Sequence, residues 1–222
     1  MPLRNRVDPW GDLHAVSPRG TFTGNRGCLV DNDGEIVRHH QSNAWITCRL
    51  QFKDWKHPLS EPRTWTPLFF LDEAVALAAG HRPCAFCRRE DFNRYRRAIA
   101  SVEELARPPG AKEIDQRLAA ERLTSGRGLA RAQDRKTWEA PLGTLPSGTV
   151  VAGDDGSPLL VDDNGLRAFG FEGWEQTISG GSDRLEVITP PTSVSALRGG
   201  FGSAPLASRS VTTSSTPRGA TR

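Results

Sequence analysis

No stretch of this 222-residue chain is apolar for long enough to cross a bilayer. The most apolar window, Pro67 to Ala79, carries Asp72 and Glu73 and falls short of a span. No apolar segment follows Met1 either, because MPLRNRVDPWGDLHAV is polar and interrupted by Pro9 and Gly11. A soluble, cytoplasmic protein with no membrane partner is therefore expected. Apolar residues make up only 36%, against 22 Gly and 16 Pro, so turns and loops must take much of the chain. Ser-His-Asp nucleophile motifs and phosphate-cradling glycine loops are absent, and nothing else points to an enzyme. Net charge is small, +3, and the last twenty residues account for it with Arg209, Arg218 and Arg222 and no acid. Distribution says more. Residues 1–100 carry 15 Lys/Arg against 11 Asp/Glu, whereas 131–190 carry 5 against 10. A basic front can orient a polyanionic partner.

Cysteine is scarce too, at four residues. Cys84 and Cys87 form a C-x-x-C on a Pro83 turn between two helix-like segments. Asp72 suits the N-cap of the first, and Gly80 the residue past its end. Phe92, Tyr95 and Ile99 mark one face of the second. Two thiolates at a turn can point at one metal ion, and Zn²⁺ then takes two more soft ligands. Cys28 and Cys48 complete that count, so the expected zinc ligands are Cys28, Cys48, Cys84 and Cys87. A thioredoxin-like redox pair would follow a strand in a βαβ pattern, which is missing here. In a reducing cytosol, four cysteines read as metal ligands before disulfides.

The segment ALAAGHRPCAFCRR is similar to the closing part of the Ada-type metal-binding domain, where R-P-C-x-x-C supplies two of four zinc cysteines. Thr23-Gly24 followed by Cys28 resembles the T-G-x-x-C stretch that opens that domain. The likeness covers roughly residues 21–90 and implies zinc binding and a DNA-associated role. The Ada pattern spaces its first two cysteines closely, whereas Cys28 and Cys48 are far apart, so methyl-acceptor chemistry is not implied. The chain also resembles an uncharacterised bacterial family sharing NRGC, WITCRL-like and FFLDEA segments, a likeness that implies no activity.

The fold class expected is α+β. Residues 1–20, broken by Pro and Gly, read as an extended arm that Trp10 and Leu13 could dock. Residues 21–100 read as the zinc-braced module: a hairpin around Asp31-Asn32-Asp33-Gly34, a strand from Ala44 to Phe52, and the two helices. On that strand Cys48 shares a face with Ile46, Leu50 and Phe52. A helical connector follows over 101–131, with a linker at Ser125 to Arg131. Residues 132–202 read as a small antiparallel β unit, with strands at 149–151, 158–161, 166–169 and 185–188 and a short helix at VSALR. The Ser/Thr/Pro/Arg-rich 203–222 reads as a disordered tail.

Arg82, Arg88, Arg89, Arg94, Arg96 and Arg97 crowd the C-x-x-C with only Glu90 and Asp91 against them. Guanidinium forks suit phosphate oxygens, so Arg82, Arg88, Arg89, Arg94 and Arg97 are the candidate nucleic-acid contacts. Trp45, Trp55 and Trp65 could stack on bases or anchor a core. The reading is a non-catalytic, zinc-dependent DNA-binding protein. Two alternatives stand beside it: a metal-stabilised nucleic-acid-processing enzyme using His39, His40 or His57 with an acid, and a zinc-stabilised protein-interaction scaffold. His81 is the substitute ligand should a cysteine fail.

Overall fold

A computed structural model of the chain describes residues 2–54, 64–124, 132–176 and 184–202. It is an α+β protein of two six-stranded sheets and four helices. The first sheet is mixed, in the order β2-β1-β5-β3-β4-β6. Its strands are β1 (Arg6–Val7), β2 (Leu13–His14), β3 (Phe22–Asn25), β4 (Ile46–Arg49), β5 (Leu68–Phe70) and β6 (Arg82–Pro83). Residues 1–20 carry more regular structure than expected, since β1 runs parallel to β5, and Leu13 docks them on the core with Val7, beside Leu68 and Phe70. Two-residue strands leave no alternation to read, which is why composition alone suggested an arm.

The Asp31-Gly34 turn does reverse the chain, with Asp31 N donating to Glu35 O at 3.0 Å. The hairpin expected around it shrinks to one bridge, Val30 to Ile36. β3 pairs instead with β4 and β5.

Helix α1 (Glu73–Ala78) begins where Asp72 accepts a hydrogen bond from Val75 N, and Gly80 follows its end at φ +82°. α2 (Arg89–Val102) buries Phe92, Tyr95 and Ile99 on one face. α3 (Ala111–Arg122) starts after Gly110, whose N–H reaches the Glu113 carboxylate at 2.6 Å.

The second sheet is wholly antiparallel, ordered β11-β10-β9-β8-β12-β7. Its strands are β7 (Trp138–Pro141), β8 (Val150–Ala152), β9 (Pro158–Asp162), β10 (Gly165–Gly170), β11 (Gly173–Gln176) and β12 (Arg184–Val187), followed by α4 (Pro191–Arg198). Asp155 and Asp162 fold the turns, accepting from Ser157 N and Asn164 N. α4 packs into the same core as α2 and α3, with Ala196 and Leu197 against Tyr95, Ile99 and Leu118. α1 lies on the second sheet through Ala74 and Ala78 against Val150, Leu160 and Ile188. The linker at 125–131 and the tail at 203–222 lie outside the described residues.

Candidate metal centre

β4 lies between β3 and β6, so both its edges are paired. Trp45 and Thr47 are buried on one face and Cys48 on the other. β6 runs parallel to β4 with Thr47 opposite Pro83, which brings the next residue, Cys84, level with Cys48. Cys84 N donates to Thr47 O at 2.9 Å and locks that alignment. The chain then turns into α2, Arg88 N bonds Cys84 O at 3.1 Å, and Cys87 comes back over the same point. The Sγ atoms of Cys48, Cys84 and Cys87 all lie within 4.8 Å of one another, each side chain under a tenth exposed. Ile46 and Phe52 pack against them.

Three sulfurs this close cannot all ionise without a cation. Hydrogen bonds from Cys48 and Cys87 hold the Cys84 thiol far below its ordinary range, and the same bond to Cys84 pushes Cys48 far above it. Backbone donors are already turned toward sulfur: Phe86 N lies 3.4 Å from Cys84 Sγ, and Arg49 N–H serves Cys87. Such donors stabilise thiolate rather than thiol, and clustered thiolates suit soft or borderline metals such as Zn²⁺. The group can therefore hold a metal ion.

Cys28 stands outside it. Its Sγ meets Val30 O at 3.5 Å and its N–H bonds Gln41 Oε1 at 2.9 Å. Register explains the separation: Cys48 pairs with Thr23, whereas Cys28 follows Asn25, which pairs with Ile46 at the other end of β4. His81 and His39 are buried but not with the sulfurs. His81 packs against Phe70 and Trp45, and His39 lies beside Arg26 and Gly11 O. His57 and Trp55 lie outside the described residues. Trp45 is 1% exposed and thus a core anchor, closed to any base.

The arginines divide. Arg82 is buried in a two-pronged pair with Asp115, at 2.7 and 2.8 Å. Arg88, 3% exposed, is held by Glu73, by Asp91 at 3.0 Å and by Thr47 Oγ1 at 3.0 Å. Neither can present a free fork to phosphate, which corrects the expectation that Arg82 and Arg88 are nucleic-acid contacts. Arg89, Arg94 and Arg97 are exposed on α2, Arg94 with Asp91 at 3.2 Å. Thr47 and Glu73 matter here without having been singled out in the sequence: an interior Thr and a helix-opening Glu carry no mark of a partner 41 and 15 residues away.

Among the described residues, no helix is long and apolar enough to cross a membrane. Comparison with protein-family models, with curated proteins and with solved structures gave no match, so the resemblance to the Ada-type domain rests on its few quoted residues and identifies no family.

Proposed function

We propose that this is a zinc-binding protein in which Cys48, Cys84 and Cys87 hold a structural Zn²⁺ that ties β4 to the α1–α2 junction. The gathering of three buried sulfurs within 4.8 Å carries the reading. Zn–S bonds of about 2.3 Å set sulfurs about 3.8 Å apart at a tetrahedral ion, so little movement is needed. Zn²⁺ takes four ligands, and three thiolates leave one position to a further donor. Metal analysis of protein purified without chelator tests this, with about one zinc per chain expected. Less than a tenth of an equivalent of any metal, with all the protein folded, would overturn it.

The role in binding DNA is a finer reading, and it narrows to Arg89, Arg94 and Arg97. Their exposure along one helix, beside a metal-braced turn, supports it. Phosphate contacts of this kind weaken with salt, by a slope of about 0.7–0.9 per phosphate neutralised.

A further inference from the structure

Among the described residues five arginines are buried, and they are held in two ways. Arg82 and Arg88 have carboxylates, as described. Arg26, Arg122 and Arg135, at 0%, 2% and 7% exposure, have none within ion-pair distance among the described residues. Their fixed partners are uncharged. Arg26 donates to Gly11 O at 2.8 Å, and Arg122 to Gly80 O at 3.0 Å and Asn43 O at 2.9 Å. Arg135 donates to Ala78 O and to Ile188 O at 3.1 Å. Arg26 and Arg122 also lie over the Trp45 ring, at 4.2 and 3.7 Å from its centroid.

The three charges are close enough to act on one another. Burial, then repulsion from neighbouring arginines, pushes Arg122 down to about 9 and holds Arg26 well below its ordinary range. Burial alone takes Arg135 down to about 9. A guanidinium keeps its proton at neutral pH, so the charge cannot be shed. Asp8 and Asp12 attract Arg26, Asp8 attracts Arg135 and Asp115 attracts Arg122 without an ion pair; Asp8 already holds Asp12 N and His14, and Asp115 holds Arg82.

Four buried atoms of this cluster have no hydrogen-bond partner: Arg26 Nη2, Arg135 Nε, Arg135 Nη1 and His81 Nδ1. Arg26 Nε–H donates to His81 Nε2 at 3.2 Å, so the His81 proton sits on Nδ1. Every unmet atom is therefore a donor, and none is an acceptor. Water could accept from them but would bring no charge to offset three buried cations. A species with several acceptor oxygens and negative charge would do both.

We propose that Arg26, Arg122, Arg135 and His81 form an enclosed site for one small oxyanion of the phosphate or sulfate class. Enclosure excludes a polymer, since none of the four side chains is more than 7% exposed. The ligands come from the end of β3, the start of β6, the last turn of α3 and the approach to β7. One anion would thus join the two halves of the chain, apart from the sulfur group and independent of it.

The test uses the whole protein, purified in a chloride buffer and desalted. Acid denaturation followed by ion chromatography should release about one phosphate or sulfate per chain. Total phosphorus in excess of inorganic phosphate would identify an organic phosphate as the source. In parallel, inorganic phosphate at constant ionic strength should raise the unfolding midpoint, the folded-to-unfolded ratio growing about tenfold per decade once the site is nearly saturated. Arg135→Met should abolish both effects while metal content stays unchanged; should that variant not fold, the wild-type measurements decide. Either positive result supports the site. No anion released and a midpoint indifferent to phosphate would overturn it, as would an equal response to chloride.

Discussion

Cys28 and Cys48 look alike in the sequence and part company through strand register. The account predicts that Cys28→Ser keeps the metal, whereas Cys48→Ser, Cys84→Ser and Cys87→Ser each lose it and lower the melting temperature, because metal binding and folding are coupled. Metal content and a thermal melt of the four variants check this. Arg88→Met should cost about 3 kcal/mol in a denaturant titration, since it leaves Glu73 partly buried without its cation. A second residue-scale effect depends on pH. The hydrogen bond to Asp8 raises the His14 pKa above its ordinary 6.5. Its folded value exceeds its unfolded one, so its stabilisation is fully present below about 6.5 and is lost as pH rises through the raised value. His14→Gln should therefore be less stable than wild type at pH 5.5, with the difference closing toward alkaline pH. At this scale the C-x-x-C was legible because two thiols at that spacing have few other uses. The burial of Arg82 and Arg88 was not, since a run of arginines looks the same whether its acids are solvent-side neighbours or lie fifteen and thirty-three residues away.

Among the elements, β4 and β6 position the sulfurs, and β3 approaches β4 closely at Gly24. A Cβ there would stand 2.1 Å from Ile46 O, a contact that backbone cannot relieve without shifting. Gly24→Ala is expected to move β4 off its register and reduce metal content, although it touches no sulfur. Helix α2 allows the converse experiment. Replacing Arg89 and Arg97 with Ala should leave melting and metal content unchanged, because exposed charges contribute little to stability. If the DNA reading holds, the same change weakens binding and flattens its salt dependence; unaltered binding would remove α2 from that role. Helices α1, α2 and α4 could be read from the sequence because a cap or a 3.6-residue apolar period marks them. Strands β7 and β11 could not. Trp138–Pro141 ends in proline and Gly173–Gln176 is too short to show alternation, and both pair through backbone at sheet edges.

Across the molecule, the front and rear segments interlock. Tyr95 Oη meets Ser193 Oγ at 3.0 Å, Trp174 Nε1 donates to Asp72 at 2.6 Å, and α4 completes the core of α2 and α3. The β-rich rear is recognisable from its turns, but composition could not show that its last helix belongs to the front core. Calorimetry should therefore give one unfolding transition rather than two. The proposed metal site lies where β4 and β6 meet the turn into α2, and a bound ion would brace that junction. Its presence is decided most directly by zinc K-edge absorption on the purified protein. The account predicts three sulfur neighbours at about 2.3 Å and one further donor. A first shell of oxygen and nitrogen alone would contradict it.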